Sequence, residues 1–264
     1  MLRRAAAQIP HRTIPLKDTP SVTVFTSSMN TRDPLKLTLS SLQKCTDYPD
    51  YRIIVGENGS SDGSAEWLTT QSESAGSRLR VMNNGKPRPH GEWLDAMYRD
   101  VETPYWFAVD SDMWFFAKDW LVAMLRIMEA CPNMYLLGAE PRPATPCHVE
   151  PIGGETIDSG EALCSWLFCI RTSLRDRLTV PFSFTVDSQN PTTGRKFCYD
   201  TGGKLISEMR QKGISYATMP RLFTLKYFHF ANLSWGLKAS VAHTPWGALK
   251  AYQLRHISAQ VSTL

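Results

Sequence analysis

The chain is 264 residues long, which suits one large domain or one domain with a small annex. Hydrophobic residues make up 42% and charged residues 20%, the balance of a soluble globular protein rather than a disordered one. The formal net charge is +4, and no dense Lys/Arg block follows Arg3 and Arg4, which excludes a nucleic-acid footprint and leaves room for an anionic small substrate.

The six cysteines form no C-x-x-C pair, so they read as reduced thiols of a cytoplasmic protein. Cys147-His148 finds no neighbours that complete a zinc site. Residues 1–20 read as an arm whose apolar runs are too short for a secretory signal. No stretch reaches the ~20 apolar residues of a membrane span.

From Ser21 onward, strands and helices alternate. SVTVFTSS (residues 21–28) is a buried strand that turns polar at its end. In the helix that follows, Asp33 is expected to cap, Pro34 to open the first turn, and Leu35, Leu39 and Leu42 to share a face. YRIIVGENGSSDGS is a second strand running into a Gly/Ser/Asp turn, and a short helix is expected near Ala65–Thr70. LRVMNNG is a third strand, GEWLDAMYRDV a helix with Trp93, Met97 and Val101 at core spacing, and TPYWFAV a fourth strand. KDWLVAMLRIMEAC is a helix capped near Asp119, and NMYLLGAE a fifth strand. Short connections between these elements predict a doubly wound, mostly parallel α/β sheet. Beyond Glu140 two irregular segments, 140–160 and 181–199, are rich in Pro, Gly and Ser. They flank a strand in ALCSWLFCI and a helix in SLRDRL. DTGGKLISEMRQKG is a helix ending at Gly213, ISYATMP and LFTLKYFHF are late strands, and WGALKAYQLRHISA is a surface helix.

In such sheets ligands sit beyond the carboxyl ends of the strands. Three strand ends are polar: Thr26-Ser27-Ser28, Glu57-Asn58-Gly59 and Asp110-Ser111-Asp112. The last is the sharpest, because it puts two acids straight after an apolar run. Two carboxylates that face one cavity repel each other, and a divalent cation with hard oxygen ligands, Mn²⁺ or Mg²⁺, relieves the repulsion. The plain alternative is an Asp-rich turn.

VTVFTSSMN, IIVGENGSSDGSAEWL, YWFAVDSD and FCYDTGGKLISEMRQKGISYATMP occur in that order, and together they resemble the GT-A fold glycosyltransferases, most of all the family-two type. The resemblance spans Ser21 to Trp235. It implies a GT-A fold with a nucleotide-sugar-binding half (21–139), an acceptor-binding and catalytic half (140–235) and a helical tail (236–264). It implies that Thr26, Ser27, Glu57 and Asn58 hold the base and ribose of the donor. Asp110 and Ser111 lie near its ribose and sugar, and Asp112, with Asp110, holds the metal.

Asp200 stands where the family carries its general base, although Tyr199 replaces the acid that often precedes it; Asp187, Asp158 and Glu161 are rivals. His229 falls where some members supply a metal ligand, with His243 competing. Lys86 and Arg88 are candidates for the diphosphate, in a region that departs from the family pattern. The implied activity is metal-dependent transfer of a sugar, from a UDP-sugar first of all, to a small soluble acceptor, with inversion. The alternatives are a sugar-1-phosphate nucleotidyltransferase, which would need a Gly-rich basic loop where TSSMNTRDP stands, and a non-catalytic nucleotide-sugar binder.

Overall fold

The computed structural model describes residues 16, 18–83, 86–138, 158–159, 166–187, 197–230 and 244–261. Its centre is a seven-stranded sheet in which all strands but one run the same way. β1 (Val22–Ser28) lies between β2 (Tyr51–Glu57) and β4 (Tyr105–Val109), and β3 (Leu79–Asn83) forms one edge beyond β2. On the other side of β4 come β8 (Leu167–Arg171), β6 (Met134–Gly138) and β11 (Ser215–Thr218). β8 is the reversed strand, antiparallel to both β4 and β6.

Side-chain alternation along the central strands builds two cores, as a sheet covered on both faces requires. Val22, Val24, Ile53, Val55, Tyr105, Phe107, Leu167 and Cys169 point to one face. There they meet α1 (Arg32–Lys44), α2 (Ser64–Ala75) and α4 (Trp120–Ala130) through Leu35, Leu39, Leu68, Trp120 and Met124. Phe25, Ile54, Trp106, Ala108, Phe168 and Ile170 point the other way. They meet α3 (His90–Asp100) and α5 (Gly203–Gln211) through Trp93, Leu94, Met97, Leu205 and Met209. The doubly wound arrangement is therefore present. α3 lies close to residues 182–183: a Cβ on Gly91 would come within 2.5 Å of the Ser183 Cα, so only glycine allows that approach.

Two smaller sheets complete the fold. β5 (Met113–Phe115) pairs with β12 (Tyr227–His229), and β7 (Asp158–Ser159), β10 (Phe197–Tyr199) and β9 (Thr185–Asp187) form the other. β5 departs from the sequence expectation: the chain makes a turn at the acids and resumes as a strand, because Met113 and Phe115 are wholly buried. SLRDRL forms only a 3₁₀ turn (Thr172–Asp176), and a second 3₁₀ turn (Arg221–Leu225) takes the first half of LFTLKYFHF. α1 starts two residues before Pro34, with Thr31 as its cap, and Asp33 sits inside the first turn. The C-terminal helix, α6 (Pro245–Val261), packs along α1. Cys45, Cys131, Cys169 and Cys198 are free thiols; Cys147 and Cys164 lie outside the described residues.

Candidate active site

After β3 the chain crosses from one side of β1 to the other, so the carboxyl ends of β1 and β4 flank the topological switch point. Open α/β sheets hold their ligands at this place. β4 ends at Val109 and delivers Asp110, whose backbone N–H donates to the Trp166 carbonyl at 2.9 Å. β12 comes alongside with His229 opposite Met113, and the Phe230 N–H donates to the Asp112 carbonyl at 3.0 Å. This pairing brings a residue more than a hundred positions later onto the acids.

The His229 Nε2 lies 3.1 Å from Asp112 Oδ1 and 3.6 Å from Asp110 Oδ2. One ligating atom from each of the three residues lies within 4.8 Å of the others. Trp166 stacks on the imidazole, with ring centroids 4.8 Å apart and 21° between planes, and fixes its orientation. The Nε2 is buried and makes no well-aligned hydrogen bond, so its contact with the carboxylates is chiefly ionic. Burial pushes the His229 pKa down, but the polar contacts and charge of Asp110 and Asp112 prevail and hold it at about 9. Without a metal, an imidazolium balances the two acids at neutral pH. Two carboxylates and one imidazole nitrogen, mutually close and aimed at one point, form a donor set that fits a divalent cation such as Mn²⁺.

His90 is a residue the sequence reading passed over, because the helix was expected to begin at Gly91. It opens α3 one position earlier. Its Nδ1 shares a 2.9 Å hydrogen bond with Ser27 Oγ, and its Nε2 lies 4.0 Å from Asp110 Oδ1. Ser27 on β1, His90 on α3 and Asp110 after β4 thus form one line across the switch point. The signal available in the sequence was the run KPRPH, a proline-rich entry to a helix at the sheet's carboxyl edge.

The other expected donor-binding residues are placed as follows. Ser28 Oγ bonds Thr31 Oγ1 at 2.8 Å, which in turn bonds Ser111 Oγ at 3.1 Å. Thr26 alternates to the α1 face of the sheet, wholly buried, and its Oγ1 has no hydrogen-bond partner. Glu57 is buried and both carboxylate oxygens are engaged by its own turn, accepting from the N–H of Gly59 at 2.9 Å and Ser60 at 2.7 Å. Asn58 is equally committed. Its Oδ1 accepts from Arg88 N–H at 2.7 Å and Trp93 Nε1 at 3.0 Å, and its Nδ2 donates to the Arg88 carbonyl at 2.8 Å. Both side chains thereby shape the loops around the switch point. Arg88 lies over the Trp93 ring, 4.5 Å from its centroid, and Lys86 is exposed.

Asp200 is exposed at the entry to α5; its Oδ1 accepts from Thr201 N–H at 2.7 Å and its carbonyl from Gly203 N–H at 2.7 Å. Asp187 ends β9, in register with Phe197. Asp158 lies on β7, paired to the same Phe197. Glu161, Trp235 and His243 lie outside the described residues.

Comparison with known proteins bears on this site directly. Residues 23–143 match the family model described as Glycosyl transferase family 2. The matched segment takes in β1 from Thr23 on, β4 and both acids, and ends before β12 brings in His229.

A curated protein of Sinorhizobium fredii, described as "Uncharacterized protein y4gI", is 26% identical over 127 residues. That match covers 48% of this chain and 14% of that protein, so the chain spans only a small part of its length. Among solved structures, a mannosyltransferase from Pyrobaculum calidifontis in complex with GDP-Man and Mn²⁺ is 18% identical. The match covers 96% of this chain and 88% of the other, with a TM-score of 0.48. A glucosyl-3-phosphoglycerate synthase from Mycobacterium tuberculosis in complex with Mn²⁺, UDP and phosphoglyceric acid is 14% identical. Here the coverage is 76% and 68%, and the TM-score 0.49.

Proposed function

We propose that this protein is a glycosyltransferase of the family-two type, which moves a sugar from a nucleotide-diphosphate sugar, UDP-sugars first, to a hydroxyl of a small acceptor, with inversion at the sugar carbon. One observation carries the reading: Asp110, Asp112 and His229 converge at the switch point of the sheet in a geometry that can hold a cation. Asp110, Asp112 and His229 would be the ligands, and a divalent cation held there would neutralise the diphosphate as it leaves. The reading divides the chain into a donor half (21–139), an acceptor half (140–235) and a helical tail (236–264).

Each residue then has a task. Ser27 orients His90, whose Nε2 faces Asp110 at 4.0 Å. Ser111, tied through Thr31 to Ser28, fixes the turn between the two acids. Glu57 and Asn58 set the loops that would border the base and ribose. Inversion needs a carboxylate beside the acceptor hydroxyl to take its proton. Asp200, exposed at the start of α5, and Asp187, one small-sheet strand away, are the two candidates for that base.

The test is release of nucleoside diphosphate from a panel of UDP-, GDP-, CDP- and dTDP-sugars with and without Mn²⁺. One donor should be turned over, and only with metal. Asp112→Ala should lower that turnover on the order of 100-fold or more. Metal-independent turnover, or an Asp112→Ala protein as active as the parent, would remove the proposed role of the acids.

A further inference from the structure

The outer side of α6 is inverted in polarity. Its only lysine, Lys250, points inward and is buried, its Nζ donating to the Phe230 carbonyl at 2.8 Å. Trp246, Leu249 and Tyr252 are 41%, 51% and 62% exposed. Tyr252 also joins Phe116 and Phe228, each about half exposed, around an open cavity of about 340 Å³. Exposed apolar surface of this extent marks a contact site.

Charge decides what the surface meets. No Asp or Glu follows Glu208, whereas seven Lys or Arg residues do, so the C-terminal end of the sequence carries uncompensated positive charge. His256 lines the same cavity, and Lys118, two residues from Phe116, and Arg255, three residues from Tyr252, are exposed. Asp119, the acid next to Lys118, is paired with Lys226 at 2.6 Å. Two copies docked through this face would set like charges together. An anionic bilayer would take both components: aromatic and aliphatic side chains in the interfacial layer, and cations against the headgroups.

We propose that α6 and the β5–β12 edge seat the protein on an anionic lipid surface. The attachment proposed is peripheral, through exposed side chains of α6 and the β5–β12 edge; no helix among the described residues is long and apolar enough to cross a membrane. Phe228 and His229 alternate along β12, one exposed and the other turned to the acids, so docking leaves the metal-ligand cluster free. The inference is independent of the donor, the acceptor and the metal.

The test is co-sedimentation of the full chain with phosphatidylcholine vesicles, with and without phosphatidylglycerol. The protein should partition onto the phosphatidylglycerol vesicles only, and high salt should release it. A Leu249→Ser/Tyr252→Ser variant should bind roughly tenfold more weakly at an unchanged melting temperature. Arg255→Glu, which leaves the apolar surface intact, should weaken binding roughly fivefold or more. Protein that stays in the supernatant with anionic vesicles overturns the proposal, as does binding that neither variant weakens. A dimer in solution that the Leu249→Ser/Tyr252→Ser variant abolishes would assign the face to self-association instead.

Discussion

Asp110 and Asp112 show why two acids can follow an apolar strand without destabilising it. Asp112 is almost wholly buried, and a carboxylate so placed needs a counter-charge. His229 supplies it at 3.1 Å, and His90 approaches Asp110 from the other side at 4.0 Å. The two histidines differ in their partners. His229 is held by an aromatic stack, while His90 is held by Ser27, itself on the neighbouring strand. His90 is therefore a candidate positioning residue, next to Asp110 without a hydrogen bond to it. Outer partners of metal ligands are worth about 10- to 100-fold in metal affinity or activity. His90→Ala should weaken Mn²⁺ binding, followed by calorimetry or by the Mn²⁺ paramagnetic signal, by a factor in that range. His90→Gln, which can keep the bond to Ser27, should recover part of it. Equal Mn²⁺ affinity in parent and His90→Ala would leave the histidine as a packing residue only.

At the scale of elements, the loops after β1 and β2 are laced together, and Asp62 shows how. It accepts from the backbone N–H of Arg32 at 2.8 Å, where α1 begins, and from that of Ser64 at 3.1 Å, where α2 begins. One carboxylate thus caps two helix starts, where unpaired N–H groups and the helix dipoles favour negative charge. Burial raises the Asp62 pKa, but the hydrogen bonds from Ser64 and Arg32 outweigh it and leave the pKa below the ordinary aspartate value of 3.8. A pKa lowered on folding means stability that is fully present above the unfolded value and lost as pH falls through the folded one. Asp62→Asn should therefore cost about 1 kcal/mol at neutral pH, measured by denaturant unfolding, and the gap to the parent should close in strong acid below 3.8. A gap that stays constant through that range would assign the loss to shape rather than charge.

These loops also mark the limit of what the sequence disclosed. β1 to β4, α3 and α4 were legible because their apolar periods are strict: every residue of TPYWFAV from Tyr105 on is buried, and Trp93, Met97 and Val101 all enter the core. The acids were legible from their position at a strand end. The use of Glu57 and Asn58 within their own turns was not, because Glu-Asn-Gly after a strand is written the same way for a ligand site and for a self-bonded loop. β5 and the 3₁₀ turn before β12 escaped because three-residue strands carry no period to read. His90 escaped because its partners, Ser27 and Asp110, are joined only by the order of the sheet.

For the whole molecule, the candidate metal centre has a mechanical consequence. β12 belongs to a two-stranded ribbon with β5, outside the seven-stranded sheet, and it meets the acids through a strand pairing of three residues, the Phe230 N–H and the His229 side chain. Such a short pairing is by itself a weak join between β12 and the turn that carries the acids. A cation shared by Asp110, Asp112 and His229 would tie residues 110–112 to residue 229 and stabilise the folded state by mass action. At a hundred times the dissociation constant the gain is about 2.7 kcal/mol, roughly 5–10 °C in melting temperature for a domain of this size. Saturating Mn²⁺ should produce a shift of that order over protein stripped with a chelator, and His229→Ala should remove most of it. The variant also loses the imidazolium that balances the acids, so its metal-free melting temperature should fall as well; only the difference between loaded and stripped protein reports the tie. A shift as large in His229→Ala as in the parent would mean that the cation rests on the two carboxylates alone, and that β12 joins the site for reasons of packing.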